Sequence, residues 1–176
     1  MEKSVAKQQF DYWTHMLGLE HTFSFDEAWD YVEHKREIAI NKERFEKGIV
    51  KVEEKMIASK RGLTGKALEK VNPLKHTFSD GLYIREIFNP KGELLVTKIH
   101  NKTHPFFLLK GEMTVLSEEG EIHIKAPYYG VTKAGTKRII YANEDCIFVT
   151  VHVTDKTNLD EIEKEVIAKD FNEVDK

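Results

Sequence analysis

Two of the chain's eight histidines, His100 and His104, bracket the short polar segment Asn101-Lys102-Thr103. Apolar runs lie on either side, Leu94–Ile99 before it and Pro105–Leu109 after it. A hairpin over this stretch would set the two side chains across a ladder, where facing Cβ atoms stand about 4.5–5.5 Å apart. Two imidazoles at that spacing can share one cation or one ligand. The plainer reading makes both of them polar turn residues on a wet rim. Imidazoles suit Fe, Mn, Ni or Zn, and a catalytic site adds a third protein ligand while keeping one position open for substrate. His152, Glu86 and His76 are the candidates for that third place. His152 also reads as a satisfied core or rim histidine, and Arg85 with Glu86 as charges paired on a sheet face. His15, His21 and His34 fall in a helical region and stand apart from the site.

Those side chains need strands to position them. From Pro73 to Asp155 short alternating or β-branched runs are cut by turn signals. Leu82–Phe88 ends at Asn89-Pro-Lys-Gly92, Met113–Leu116 at Ser117-Glu-Glu-Gly120, and Glu121–Lys125 at Ala126-Pro127. Arg138–Tyr141 and Cys146–Val153 follow. Many short strands at this spacing predict an antiparallel sandwich or small barrel. Ahead of them, residues 1–70 read as a helical arm. Phe10, Trp13, Met16, Leu17 and Leu19 suggest a first helix. Ser24-Phe-Asp-Glu27 has capping-box spacing and opens a charged rod with a narrow apolar stripe, with a break expected at Gly48. Residues 71–155 form the β domain, and residues 156–176 a short C-terminal helix, capped at Asn158, with its tail.

Bulk composition narrows the function classes. The chain of 176 residues carries a net charge of −3, with 27 cationic and 30 anionic side chains. That balance gives no general attraction to nucleic acid or to an anionic membrane. One cysteine excludes an intrachain disulfide and a cysteine zinc cluster. Cys146 lies in an apolar run and reads as a small buried side chain. No signal core and no membrane-length apolar run is present, so a cytoplasmic protein is expected.

The spacing Gly92, five residues, Lys98-x-His100, three residues, His104, six residues, Gly111 resembles the first motif of the cupin superfamily. In that motif the family carries His-x-His and then Glu. The second motif, Pro-x-Gly-x-x-His, is matched by Lys133-Ala-Gly135-Thr-Lys-Arg138. The block also looks like small uncharacterised cupins of phages and bacteria, and it spans roughly residues 75–155. The resemblance implies a mainly β, cupin-like antiparallel β-barrel or jelly roll. It places Lys98 and Arg138 at two ligand positions and His104 at that of the glutamate.

In such a barrel one parity of each strand faces inward. A pocket lined by Lys98, His100, His104 and Arg138 follows, with Tyr83, Phe106 or Tyr129 available to stack on a ring. Two functions fit. In the first, the pocket binds a small anionic molecule, a carboxylate, sugar or nucleotide phosphate, and Arg138 gives the two-point contact. In the second, His100 and His104 hold a divalent metal in an enzyme of the dioxygenase, isomerase or epimerase type that the family includes. The sheet edges and the amphipathic arm predict a homo-oligomer, most simply a dimer.

Overall fold

The computed structural model describes residues 3–4, 7–8, 11, 24–60 and 62–174, without the side chains of 27, 28, 31, 32, 35 and 36. The chain divides into two compact units, Met1–Arg44 and Phe45–Lys176. Helix α1, Phe25–Ala58, contributes to both. It begins directly after Ser24, where the capping-box spacing puts it. The Glu27 side chain and nearly all of the expected first helix lie outside the described residues. In the first unit Phe25 is buried, with its ring 5.7 Å from that of Trp29.

The break expected at Gly48 does not occur, because α1 runs straight through it. A glycine inside a helix costs about 1 kcal/mol relative to alanine. The neighbouring Ile49, 2% exposed, offsets that cost by burying its whole side chain. In the second unit the last turns of α1 are tied down by Lys137, whose Nζ lies 2.9 Å from Glu53 Oε2. A short helix α2, Gly65–Val71, then stops before Pro73, as a residue preceding proline demands. Its cap, Asn72, is buried and donates through Nδ2 to Asn89 Oδ1 at 3.0 Å and to the Phe88 carbonyl at 3.2 Å.

The strands follow in order: β1 Leu74–Ser79, β2 Leu82–Asn89, β3 Leu94–Val96, β4 Ile99–His100, β5 His104–Lys110, β6 Glu112–Ser117, β7 Gly120–Lys125, β8 Tyr128–Thr132, β9 Ile139–Ala142 and β10 Cys146–Val153. Helix α3, Leu159–Val166, and the two-residue strand β11, Ile167–Ala168, close the chain. One sheet has the order β1-β2-β10-β5-β8, a second β3-β9-β6-β7, and β11 pairs with β4. The pairs β6–β7, β5–β8, β3–β9 and β2–β10 are nested, all antiparallel. A long double strand rolled up in this way is a jelly roll, and the fold is cupin-like. The two main sheets stay separate ladders rather than one closed barrel.

Burial alternates along β5, where His104, Phe106 and Leu108 are buried and Phe107 and Leu109 are exposed. Phe106 and Leu108 join Met113, Val115, Ile140 and Cys146 in the core between the sheets. The outer face of the same sheet keeps apolar groups in solvent, from Phe107 at 36% exposed to Tyr129 at 76%.

The stretch Gly92–Gly111 is not a hairpin. β3 pairs with β9, and β5 pairs with β8 and β10, so the segment crosses from one sheet to the other. Packing explains the crossing: Leu95 reaches the core from one side, while Phe106 and Leu108 reach it from the other.

Two glycines give opposite stability predictions. Gly111 has φ +87°, and a Cβ there would stand 2.5 Å from the Asp145 carbonyl oxygen and 2.6 Å from Cys146 Sγ. Gly111→Ala should destabilise by about 2 kcal/mol or more. At Gly48 a Cβ meets nothing within 4 Å, and Gly48→Ala should stabilise by about 0.5–1 kcal/mol. Urea unfolding midpoints of the two variants should move in opposite directions.

Candidate metal centre and adjoining cavity

Register on the five-stranded sheet determines which residues face inward. Phe78 pairs with Tyr83, Tyr83 with His152, and His104 with Thr132. One row over, His76 pairs with Arg85, Arg85 with Thr150, and Thr150 with Phe106. A band of rings therefore crosses the inner face. Tyr83 stacks on Phe78 at 5.5 Å and on His152 at 6.0 Å, and His152 meets His104 at 4.4 Å.

His100 reaches this band from β4. That strand exists because β11 pairs with it, Ile167 opposite His100 and Ala168 opposite Ile99. Asn101 adds to the hold, its amide donating to the Val166 carbonyl at 2.8 Å and its Nδ2 to the Glu165 carbonyl at 3.2 Å. The Gly135 amide donates to the His100 carbonyl at 2.9 Å, which brings the two sequence motifs together at this residue.

The three imidazoles form one cluster. Ring centroids of His100 lie 4.3 Å from His104 and 5.4 Å from His152, and one nitrogen from each ring lies within 4.8 Å of the others. Nitrogens on one metal with bonds of about 2.1 Å sit roughly 3.4 Å apart at tetrahedral angles. A modest closure of the triad would therefore seat an ion. His104 Nδ1 donates to the Lys102 carbonyl at 3.1 Å, which leaves Nε2 as its lone-pair nitrogen. His152 Nε2 and Thr150 Oγ1 share a hydrogen bond of 3.0 Å. Neither ring nitrogen of His100 has a hydrogen-bond partner among the described residues.

All three rings are held neutral. Burial pushes His100 down to about 2, with further lowering by His104, His152, Arg85 and Arg138. His152 falls to about 4, first through burial and then through His104 and Arg85. Burial also lowers His104, against the raising effect of its bond to Lys102. Neutral imidazoles are the form that binds a metal.

Beside the triad opens a cavity of about 600 Å³. The five-stranded sheet supplies His76, Tyr83, Arg85 and His152 to its wall, β4 supplies His100, and α3 supplies Ile162, Glu163 and Val166. His76 Nδ1 and Tyr83 Oη share a hydrogen bond of 2.7 Å. Burial lowers the His76 pKa, aided by Arg85, and raises that of Tyr83.

The sequence-derived site residues separate into groups. His100, His104 and His152 come together, and Tyr83 packs against them at 4% exposed. Lys98 lines the cavity, but it pairs with Glu163 of α3 and is half exposed. Arg138 is half-buried; its Nη1 donates to Thr132 Oγ1 at 3.0 Å and its guanidinium lies 5.2 Å from the Phe106 ring centre. With Phe106 it lines a separate pocket of about 70 Å³ that runs from the core to the exposed residues Glu119 and Ile122. Glu86 has the parity of the outer sheet face, opposite Val149 and Lys75, and gives no ligand atom to the cluster. Tyr129 is also outside. His76 lies in the row beside the triad, bonded to Tyr83 rather than to the cluster. Arg85, read from the sequence with Glu86 as a charge paired on a sheet face, instead lines the cavity, two residues after Tyr83 and with the same inward parity.

Fold and site together are those of a cupin-like jelly roll with a three-histidine cluster at the inner face. No protein-family model matches the chain, and no curated protein matches it. Solved structures similar to it include a cupin-2 domain containing protein from Shewanella frigidimarina, at 11% identity over 46% of this chain and 79% of that one, with a TM-score of 0.40. A cupin superfamily protein from Desulfitobacterium hafniense aligns at 14% identity over 48% and 78%, TM-score 0.42. An acetylacetone dioxygenase from Acinetobacter johnsonii aligns at 22% identity over 46% and 58%, TM-score 0.40. No helix among the described residues is long and apolar enough to cross a membrane.

The pKa directions set a stability profile. Histidines titrate near 6.5 when unfolded, whereas the folded chain holds His152 near 4 and His100 near 2. Below 6.5 the unfolded state therefore binds more protons than the folded state, so stability is full above that pH and falls as pH drops toward the folded values. His152→Gln should flatten this fall between about pH 6.5 and about pH 4.5 in urea unfolding, where only one of the two states of His152 titrates. An equally steep profile in the variant would show that His152 is not held neutral.

Proposed function

We propose that the chain is a cupin-like metalloprotein that holds one divalent transition ion on His100, His104 and His152 and exposes it to a small molecule in the adjoining cavity. The observation that carries this reading is the triad itself, three neutral imidazoles with converging nitrogens, two of which, His100 and His152, line the wall of a cavity of about 600 Å³. An ion such as Fe, Mn, Ni or Zn would supply Lewis acidity, or redox chemistry if it is iron or manganese, to a bound ligand. The protein's part is to keep the rings unprotonated and to orient His104 through the Lys102 carbonyl and His152 through Thr150. Ile162 and Val166 of α3, packed with Tyr83, give the cavity an apolar side.

Metal-free binding of a small anion is the second reading, favoured by the guanidiniums near the triad. Its residues shift from those first expected: Lys98 and Arg138 already have partners, and the cavity-lining cation without one among the described residues is Arg85. The outer face of the five-stranded sheet, with Leu109, Tyr129, Val131 and Val153 exposed, is the surface we propose for a homodimer.

Elemental analysis after reconstitution should return about one ion per chain. His100→Ala, His104→Ala and His152→Ala should each weaken retention by at least about tenfold, since two imidazoles alone hold a divalent ion poorly. Full retention in His152→Ala, or no ion in the parent chain, would remove the three-histidine site.

A further inference from the structure

Arg85 is the one cavity-lining cation whose charge is unanswered. Its guanidinium forms no hydrogen bond and no ion pair among the described residues, whereas Lys98, the other cation of the wall, is joined to Glu163. Arg85 is half-buried on β2, in the row directly beside Tyr83 and His152. A guanidinium partly removed from water without a counter-charge is costly, and a cavity that places it there is suited to receive an anion.

The rest of the wall limits what that anion can be. Ile87, Leu68 and Ile162 supply apolar surface, and Glu69 and Asp160 add negative charge. A phosphate dianion would meet those carboxylates with only one free cation to answer it. A monoanionic carboxylate on an apolar body needs one fork of paired N–H donors, which arginine offers in a plane. Tyr83 Oη does not compete for it, being engaged with His76 Nδ1 at 2.7 Å.

We infer that Arg85 anchors the carboxylate of a small, largely apolar monocarboxylic acid in this cavity, with the acid's body lying between the sheet and α3. The inference deepens the proposed function, and it rests on that reading only for what the triad then does to the bound acid. Anchoring itself needs no metal, which lets the two readings fail separately.

The test titrates the full chain, stripped with a chelator and then metal-loaded, against straight-chain carboxylates from acetate to octanoate, with benzoate and phenylacetate. Ligand-observed nuclear magnetic resonance reports binding, and the matched amides and octyl phosphate serve as controls. Binding of the longer acids to the stripped chain is expected, with their amides and octyl phosphate at least about tenfold weaker. Arg85→Gln should weaken the acids by about tenfold or more while metal stoichiometry stays at the parent value. Arg85→Lys, which keeps the charge but not the fork, should fall between. His104→Ala, which removes the one triad ring that does not line the cavity, should lose metal yet keep binding the acids. Far-ultraviolet circular dichroism shows whether each variant is folded, and Arg85→Lys carries the test if Arg85→Gln is not. Silence from every acid, equal affinity for acid and amide, or an unchanged affinity in Arg85→Gln overturns the inference. Preference for octyl phosphate over octanoate overturns the choice of carboxylate.

Discussion

Everything at this site depends on three imidazoles sharing a space from which water is largely excluded. A protonated ring there would lose hydration and face two other rings and the guanidiniums of Arg85 and Arg138. Among the described residues no carboxylate joins the cluster to compensate. Both desolvation and repulsion act in the same direction, so all three rings are neutral at ordinary pH. In the family pattern a glutamate stands where His104 lies, and it would bring a negative charge that favours protonated neighbours. With histidine at position 104 no such support is present and burial is in control. The result is a set of lone pairs with little competition from protons.

The fold sustains this arrangement unequally. His104 and His152 belong to adjacent strands of one sheet, β5 and β10, and each is steadied by a short local bond, to the Lys102 carbonyl or to Thr150. His100 sits on a two-residue strand whose partner is the last strand of the chain. Glu165, just before β11, accepts from Lys102 Nζ at 2.6 Å and from Thr154 Oγ1 at 2.8 Å, so α3 is fixed to the loops at both ends of the site. Position of the third ring is thus coupled to docking of the C-terminal segment, while the first two are set by the sheet.

Local rules made much of this legible. Strand rhythm, the turn signals and the glycines at 92, 111 and 135 marked the β domain, and Gly111 and Gly135 sit where their positive φ is needed. Asn158 caps α3 as its position suggested, with Oδ1 accepting from the amides of Asp160 and Glu161. Partner choice was not legible. Two apolar runs joined by a short polar segment fit a hairpin and a sheet-to-sheet crossing equally well, and only packing from both sides of the core decides between them. The ion pair of Lys98 with Glu163 spans 65 positions and leaves no local trace. Arg85 was within reach, since inward parity at Tyr83 implies it, but a charged residue beside Glu86 reads first as a surface pair.

The two cationic substitutions acquire a meaning from these contacts. At position 98 the motif that the sequence resembles has a ligand histidine, and here a lysine at the edge of the cavity pairs with Glu163 of the C-terminal helix. It stops being a ligand and helps hold the segment that carries β11 to His100. At position 138 an arginine enters the core instead, bonded to Thr132 and lying over Phe106, close enough to help keep His100 and His104 unprotonated. Neither position could ligate a cation. His152 supplies the missing imidazole from β10, on the sheet that already carries His104. The histidine cluster therefore lies on the side of the molecule where the large cavity opens, and a molecule in that cavity meets Tyr83, His100 and His152 directly. Of the four ligand positions in the motifs the sequence resembles, two hold cationic side chains here, and the three imidazoles that do converge come from β4, β5 and β10.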